Sequence, residues 1–243
     1  MKNLAIIQCR LSSKRLKNKT IFPLGKKTII QSIYDRVTKS KLIDEVIVAI
    51  PTGKKEDLLA DILSKKKIPF KRGAPENVLK RFYDIAKLYN PRNIVRLTAD
   101  CPFIDPLIID KVISLHLKEK NHYTSNARPP SFPDGMDVEV FSFESLKDAY
   151  KNAVSSYEME HVVPYIVKKY KISNLKNDID LSQNRWTIDT NDDFNFITKV
   201  YKGLILEKKK INLKNILDFI QRHPKIKKIN HHLKRNFGVI QSE

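Results

Sequence analysis

Short apolar runs alternate along the chain with longer segments in which apolar residues recur every three or four positions. The runs are rich in Ile, Val and Leu, which is typical of strands buried on both faces. They lie at residues 4–9, 46–50, 68–70 and 94–97. The segments with helical spacing lie at residues 28–38, 57–66 and 78–88. This order of strand and helix predicts an α/β fold with a largely parallel sheet.

The second half of the chain is predicted to add elements of both kinds. Pro106 suits the first turn of a helix and Asp105 suits its N-cap, so we expect a helix through Leu115. Further strands are expected at 122–126, 136–141 and 185–188, with a loop at 129–135. Further helices are expected at 143–152, 157–169, 191–206 and 213–221.

The length and composition fit one sizeable domain, because 243 residues with 41% apolar content can build a single core. We expect residues 1–206 to form a single-domain, Rossmann-like, mostly parallel sheet with helices on both faces. Residues 207–243 are expected to form a basic C-terminal extension that packs on this domain or trails it. No apolar run approaches the roughly 20 residues that span a bilayer, and no secretory leader follows Met1, so we expect a cytoplasmic protein.

The net charge raises an alternative function. Lys and Arg total 46 against 27 Asp and Glu, a formal +19 that would attract polyanions such as nucleic acid. The lysines are, however, spread over predicted helix faces without regular aromatic neighbours, and no zinc finger, basic zipper or RNP motif is visible. We therefore expect no specific nucleic-acid partner. The two cysteines, Cys9 and Cys101, are too few for a disulfide scaffold or a closed zinc site.

The loop after the first predicted strand is the most informative segment. Its cations and hydroxyls are Arg10, Ser12, Ser13, Lys14, Arg15, Lys17 and Lys19. The carboxyl end of a parallel strand is where open α/β sheets bind ligands, so this loop predicts a triphosphate site. A solvated basic turn is the alternative.

This loop also carries a family resemblance. Arg10, Ser13, Arg15 and Lys19 match the R-x-x-S-x-R-L-P-x-K signature of the cytidylyltransferases that activate acidic sugars, which include the CMP-Kdo and CMP-sialate synthetases. Lys17 departs from this signature, which has Pro at that position. The chain more closely resembles the SpsF-like branch, named for a spore coat polysaccharide protein. Segments similar to that branch follow in the expected order at 71–81, 96–106, 132–141, 158–165 and 185–190.

The resemblance implies a cytidylyltransferase that transfers CMP from CTP to an anionic acceptor and releases pyrophosphate. The acceptor would be a sugar acid, a phosphonate or a phosphorylated small molecule, in surface polysaccharide or glycoconjugate biosynthesis. A homodimer is compatible with this assignment. The residues expected to bind the nucleotide are Arg10, Leu11, Ser13, Arg15, Lys19, Arg72, Thr98 and Asp100. Of these, Arg15, Lys19 and Asp100 are expected to take the catalytic roles.

Nucleotidyl transfer requires a neutralised triphosphate, and Mg²⁺ provides this while bound to one or two carboxylates. Asp100 follows the apolar run at 94–97, and Asp189 ends the short apolar segment at 186–188. By resemblance, these two residues are expected to bind Mg²⁺. A helix N-cap is the alternative role for each, most strongly for Asp189, which directly precedes a predicted helix.

Four residues, Arg128, Asp137, Glu139 and His161, are expected on the acceptor side. Asp137 and Glu139 alternate along a predicted strand and so share a face, where they could bind a cation, orient the acceptor or face solvent. His161 is either an acceptor contact or a hydrogen-bonded structural histidine.

Two further alternatives remain open at the level of sequence. Arg96 either contacts substrate or pairs with a buried carboxylate. A nucleotide-sugar glycosyltransferase would share the α/β plan and the metal. Against it, Asp100-Cys101-Pro102 lacks the second acid of a D-x-D triplet, and Asp178-Ile179-Asp180 lies outside the matched segments.

Overall fold

A seven-stranded sheet dominates the computed structural model, which describes residues 2–13 and 15–235. Lys14 of the basic loop and residues 236–243 of the C-terminal extension lie outside the described residues. The strands are β1 Asn3–Gln8, β2 Pro23–Leu24, β3 Lys27–Thr28, β4 Glu45–Pro51, β5 Phe70–Gly73, β6 Asn93–Thr98, β7 Tyr123–Ser125, β8 Glu139–Ser142 and β9 Ile172–Asn174. The helices are α1 Ile29–Val37, α2 Asp57–Lys65, α3 Val78–Tyr89, α4 Pro106–Glu119, α5 Phe143–Asn152, α6 Ser156–His161, α7 Pro164–Lys169, α8 Asn191–Leu206, α9 Leu213–Arg222 and α10 Pro224–Lys227.

The strands of the main sheet lie in the order β5-β4-β1-β6-β8-β7-β9. Neighbouring strands are parallel except around β8, which is antiparallel to both β6 and β7. The predicted α/β fold with a mostly parallel sheet is confirmed. The chain builds outward from β1 through β4 to β5 and then returns to the other side of β1 with β6. This reversal makes the carboxyl ends of β1 and β6 the topological switch point, where open α/β sheets bind ligands.

The core is divided into two layers by the sheet because successive strand side chains point to opposite faces. Leu4 and Ile6 of β1 pack with α3, α5 and α7 on one face. Ala5 and Ile7 pack with α1, α2, α4, α8 and α9 on the other. Helices therefore cover both faces, as predicted. None of the described helices is long and apolar enough to cross a membrane.

Two predicted elements are wrong and a third is misplaced. The predicted strand at 136–141 begins only at Glu139, so Asp137 lies before β8 and does not alternate with Glu139 along a strand. The predicted strand at 185–188 forms only an isolated bridge between Arg185 and Asp134. Its backbone amides donate hydrogen bonds to carbonyls in nearby loops and not to a neighbouring strand. The predicted helix at 157–169 is broken between α6 and α7. Pro164 begins α7, and a proline cannot donate the backbone hydrogen bond that a continuous helix would need there.

Helix α9, which lies in the C-terminal extension, packs on α8 of the preceding part of the chain. Gly203 in α8 lies against the ring of Phe219 in α9, and a Cβ atom at Gly203 would lie 2.2 Å from Phe219 Cζ. Phe219 itself is buried. The absence of a side chain at residue 203 therefore allows the two helices to approach closely.

We predict that Gly203→Ala lowers the free energy of unfolding by about 1–3 kcal/mol, because the added methyl group overpacks this contact. Denaturant unfolding would measure the effect. Lys202→Ala, at an exposed position on the same helix, is the control and should cause little change. A Gly203→Ala variant more stable than wild type, as alanine's helix propensity alone would produce, would contradict this packing.

Candidate active site

The loop after β1 folds back on itself at the switch point. The Leu11 amide donates to Glu56 Oε2 at 2.9 Å, and the Leu11 carbonyl accepts from the amides of Ser13 and Asn18 at 2.8 and 3.1 Å. Asn18 adopts a left-handed backbone with φ 59°, which asparagine tolerates better than most residues. These bonds turn the chain so that Lys19 points inward. Glu56, which is buried, was not identified by sequence reasoning because it lies outside the recognised motifs.

Lys19 lies between the two predicted metal-binding aspartates. Its Nζ atom donates to Asp100 Oδ2 at 2.9 Å, to Asp189 Oδ1 at 2.8 Å and to the Ile188 carbonyl at 2.6 Å. Lys19 is only 7% exposed. The structure therefore brings together three residues from distant parts of the chain around one buried ammonium group.

The three charged groups of this cluster hold one another in their ionised forms. Burial opposes ionisation of each group, but the opposite charges outweigh it. Asp100 and Asp189 raise the pKa of Lys19 above its ordinary value, and Lys19 holds the pKa of both carboxyls below their ordinary values. The cluster is therefore fully charged at neutral pH.

Each aspartate of the cluster has a second donor. Thr98 Oγ1 donates to Asp100 Oδ1 at 2.7 Å, and Arg15 Nη2 donates to Asp189 Oδ1 at 2.7 Å. The N-cap alternative is wrong for both aspartates. Asp105 caps α4, as predicted, and Thr190 caps α8.

Arg185 and Asp193 hold Asp189 in place through hydrogen bonds to its side chain and its backbone amide. The Arg185 guanidinium donates to both Asp193 oxygens at 3.0 and 3.1 Å and to Asp189 Oδ2 at 3.0 Å. Asp193 Oδ2 also accepts from the backbone amides of Asp189 and Thr190 at 3.0 and 3.1 Å. Arg185 is 5% exposed and Asp193 fully buried, so this support is rigid. Sequence reasoning missed both roles. Asp193 stands three residues after Thr190 and completes a capping box, a short-range signal that could have placed it, whereas the role of Arg185 depends on how the loop folds.

Arg185 also reaches the segment that contains Asp134. Its Nη1 atom donates to Asp134 Oδ2 at 2.8 Å. The next residue, Gly135, has φ +101°, and a Cβ atom there would lie 2.5 Å from the carbonyl carbon of Trp186. Only glycine allows this approach, which lets the Trp186 amide donate to the Asp134 carbonyl. Burial, together with the nearby charge of Asp137, raises the pKa of Asp134 to about 7.

Asp137 and Glu139 have different cationic partners. Arg235 Nη2 donates to both Asp137 oxygens at 2.5 Å. Arg96 Nη1 donates to Glu139 Oε2, and the Tyr123 hydroxyl donates to Glu139 Oε1 at 2.7 Å. Burial opposes ionisation of Glu139, but Arg96 keeps its pKa below the ordinary value. The solvent-facing alternative is wrong for Glu139, which is buried, and the alternative that Arg96 pairs with a buried carboxylate is confirmed.

A strained turn follows His161. Val162 has φ 69° and ψ −51°, and the Val163 amide donates to the His161 carbonyl at 2.8 Å, which forms a γ-turn. A β-branched residue in such a conformation costs about 1–3 kcal/mol. The His161 ring packs on Tyr157 with 4.5 Å between centroids. Partial burial lowers the His161 pKa, and the charge of Arg96 contributes to this shift.

Three other predicted residues lie nearer the surface. Arg128 Nε is 3.9 Å from Glu139 Oε1, and Arg10 Nη2 is 3.7 Å from Glu160 Oε1 on α6. Arg72 on β5 pairs with Asp57 at 2.7 Å. Arg128 therefore belongs to the Glu139 group, whereas Arg10 and Arg72 pair with carboxylates other than Asp100 and Asp189.

The two cysteines lie beside the site without nucleophilic character. Burial raises the pKa of Cys9 to about 12 and the pKa of Cys101 well above its ordinary value. Both thiols are therefore protonated at neutral pH and act as packing groups.

The chain is similar to known proteins in both sequence and fold. The sequence model of the family described as cytidylyltransferase matches residues 4–227. The chain is similar to an uncharacterized protein of Methanocaldococcus jannaschii, at 35% identity over 97% of both chains. It is also similar to the spore coat polysaccharide biosynthesis protein SpsF of Bacillus subtilis, at 28% identity over 91% of this chain and 95% of that protein. A cytidylyltransferase structure from Leptospira borgpetersenii superimposes with a TM-score of 0.86 at 31% identity, covering 93% of this chain and 96% of that one.

We predict that Arg185→Met lowers the free energy of unfolding by about 3–5 kcal/mol, because it leaves the buried Asp193 and Asp189 without their shared cation. Thermal and denaturant unfolding would measure the change. Arg222→Met removes the same charge from an exposed pair with Glu207 and should have no measurable effect. Equal stability of both variants would contradict the role assigned to Arg185.

Proposed function

The chain belongs to the cytidylyltransferase family, and we propose that it transfers CMP from CTP to an anionic small-molecule acceptor with release of pyrophosphate. Family membership makes it a CTP-dependent nucleotidyltransferase. The observation that best supports the complete proposal is the cluster of Lys19, Asp100 and Asp189, which lies at the switch point of the sheet. The glycosyltransferase and nucleic-acid alternatives do not explain the family match over residues 4–227.

The proposed reaction is an attack by an acceptor oxygen on the α-phosphate of CTP, after which pyrophosphate leaves. The protein must therefore align two anions and compensate their charge. Arg15 and Lys19 are the cations assigned to the triphosphate. Because their present partners, Asp100 and Asp189, hold them in place, both cations are positioned before the nucleotide arrives. No covalent enzyme intermediate is needed, since the acceptor itself is the nucleophile.

The same two aspartates fit a magnesium ion. Both already direct an oxygen at one cation, at 2.9 and 2.8 Å. Among residues 2–13 and 15–235, no group of three or more His, Cys, Asp or Glu side chains could hold a metal by itself. This suits Mg²⁺, which takes one or two carboxylates and completes its shell with phosphate oxygens and water. Asp100 and Asp189 would hold the ion, which would neutralise charge on the phosphates.

The acceptor is assigned to the side of the site formed by Arg128, Glu139 and His161. Arg128 is partly exposed and 3.9 Å from Glu139, so it can also reach an anionic group. Arg96 and Tyr123 also donate hydrogen bonds to the Glu139 carboxylate. By analogy with the name of SpsF, we place the reaction in surface polysaccharide or glycoconjugate biosynthesis. The cytoplasmic location and the homodimer stay predictions.

The proposal is tested by pyrophosphate release across the four nucleoside triphosphates, each combined with sugar acids, phosphonates and phosphorylated small acids. We expect release with CTP and one acceptor class, and none without acceptor. Release that requires a nucleotide sugar or shows no preference for CTP would contradict the proposal.

We predict that Asp100→Asn keeps the fold but lowers kcat by about 100-fold or more, because a neutral amide is a poor Mg²⁺ ligand and metal stabilisation is worth several kcal/mol. The assay is CTP turnover under limiting magnesium. Asp178→Asn, at an exposed position outside the site, is the matched control. Wild-type turnover by Asp100→Asn would refute the metal assignment.

A second prediction concerns the basic loop. Arg15→Ala and Lys19→Ala should each lower kcat/KM for CTP by an amount equivalent to roughly 1.5–3 kcal/mol, the size of a charge-assisted hydrogen bond. The KM for CTP and the rate of turnover would measure this. Lys66→Ala removes an exposed lysine after α2 and should change neither quantity. Small, equal effects at all three positions would identify the loop as a solvated basic turn.

A further inference from the structure

The C-terminal segment, defined here as residues 230–235, contacts the support of the aspartate pair. The buried Asn230 side chain donates to the Arg185 carbonyl and to Asp193 Oδ1, each at 2.9 Å. Arg185 Nη1 in turn donates to the Lys234 carbonyl at 3.3 Å. The family model ends at residue 227, so these contacts come from a part of the chain that the family match does not cover.

Arg235, the last residue of this segment, contacts the part of the chain around Phe132 and Asp137. Its Nη2 atom contacts both oxygens of Asp137 at 2.5 Å, and its Nη1 atom donates to the Phe132 carbonyl at 3.2 Å. The Arg235 side chain is 14% exposed. A partly buried guanidinium with three acceptor contacts is fixed in position and compensates the Asp137 charge strongly.

Asp137 lies three residues after Asp134, which accepts a hydrogen bond from the Arg185 guanidinium that also holds the metal-assigned Asp189. Burial raises the pKa of Asp137 and the cation of Arg235 lowers it, while the negative charges of Glu139 and Asp100 act in the same direction as burial. Among the described residues, five aspartates at or next to the site form ion pairs. They are Asp100, Asp134, Asp137, Asp189 and Asp193, and the cations that contact them are Lys19, Arg15, Arg185 and Arg235.

We propose that Arg235 is a positioning residue of the nucleotide site, which acts by compensating the charge of Asp137 so that the site accepts a polyanion. This inference rests on the proposed function. Without Arg235, Asp137 would lose the ion pair that the structure gives it, and its charge would repel the triphosphate in a partly desolvated environment. The C-terminal segment is then part of the active site rather than a trailing extension.

The test measures the Kd of CTP by calorimetry in the presence of Mg²⁺, which needs no knowledge of the acceptor. Arg235→Gln removes the charge but keeps a donor, and we expect about tenfold weaker binding, with a larger loss at low salt. Arg235→Lys keeps the charge and should bind within about threefold of wild type. Arg222→Gln, an exposed arginine of α9 paired with Glu207, is the control and should bind like wild type.

The double variant Arg235→Gln/Asp137→Asn separates charge compensation from simple docking of the segment. It removes one cation and one anion, so we expect CTP binding to return to within about twofold of the Asp137→Asn single variant. If Arg235 only docks the segment, the double variant will bind as weakly as Arg235→Gln, and the inference is overturned. Unchanged binding by Arg235→Gln overturns it as well. A wild-type protein that binds no CTP would instead contradict the proposed function on which the inference rests.

Discussion

The ammonium group of Lys19, held between Asp100 and Asp189, is the interaction on which the site depends. It joins the loop after β1, the turn after β6 and the segment before α8, which are far apart in sequence. Burial of isolated charges would cost several kcal/mol for each ion. The arrangement is stable because each charge faces an opposite one and Arg185 fixes the more buried carboxylate from behind.

This charge balance fits the proposed function, in which one site binds both a cation and a polyanion. The two carboxylates face inward and already bind a positive charge, whereas Arg15 and Lys19 are held at the same place by those carboxylates. A metal ion that binds to both aspartates would displace the Lys19 ammonium from its place between them, and the phosphates that arrive with the ion would give this ammonium a new anionic partner. Asp137 is a negative charge that does not pair with Lys19 or Arg185, and Arg235 compensates it through a direct ion pair.

The sequence predicted those parts of the site that follow from local pattern. Asp100 could be placed because an apolar strand precedes it, and the position of a strand's carboxyl end follows from the α/β order. Arg185 could not be assigned its role, because it joins Asp189 and Asp193 to Asp134, and the approach of Asp134 depends on tertiary packing. The predicted strand at 185–188 was wrong for the same reason, since its amides bond to Asp134 and Asp100 carbonyls across the site. Asp193, by contrast, has capping-box spacing from Thr190 that the sequence does show.

The most direct test of the central claim is Mn²⁺ binding followed by electron paramagnetic resonance, with and without CTP. If Lys19 occupies the cation position between the aspartates, wild-type protein binds Mn²⁺ weakly alone and much more tightly with CTP. Lys19→Met should then bind Mn²⁺ more tightly than wild type in the absence of nucleotide, and Asp189→Asn should lose the CTP-dependent binding. Wild-type Mn²⁺ binding by both variants, with and without CTP, would contradict the account.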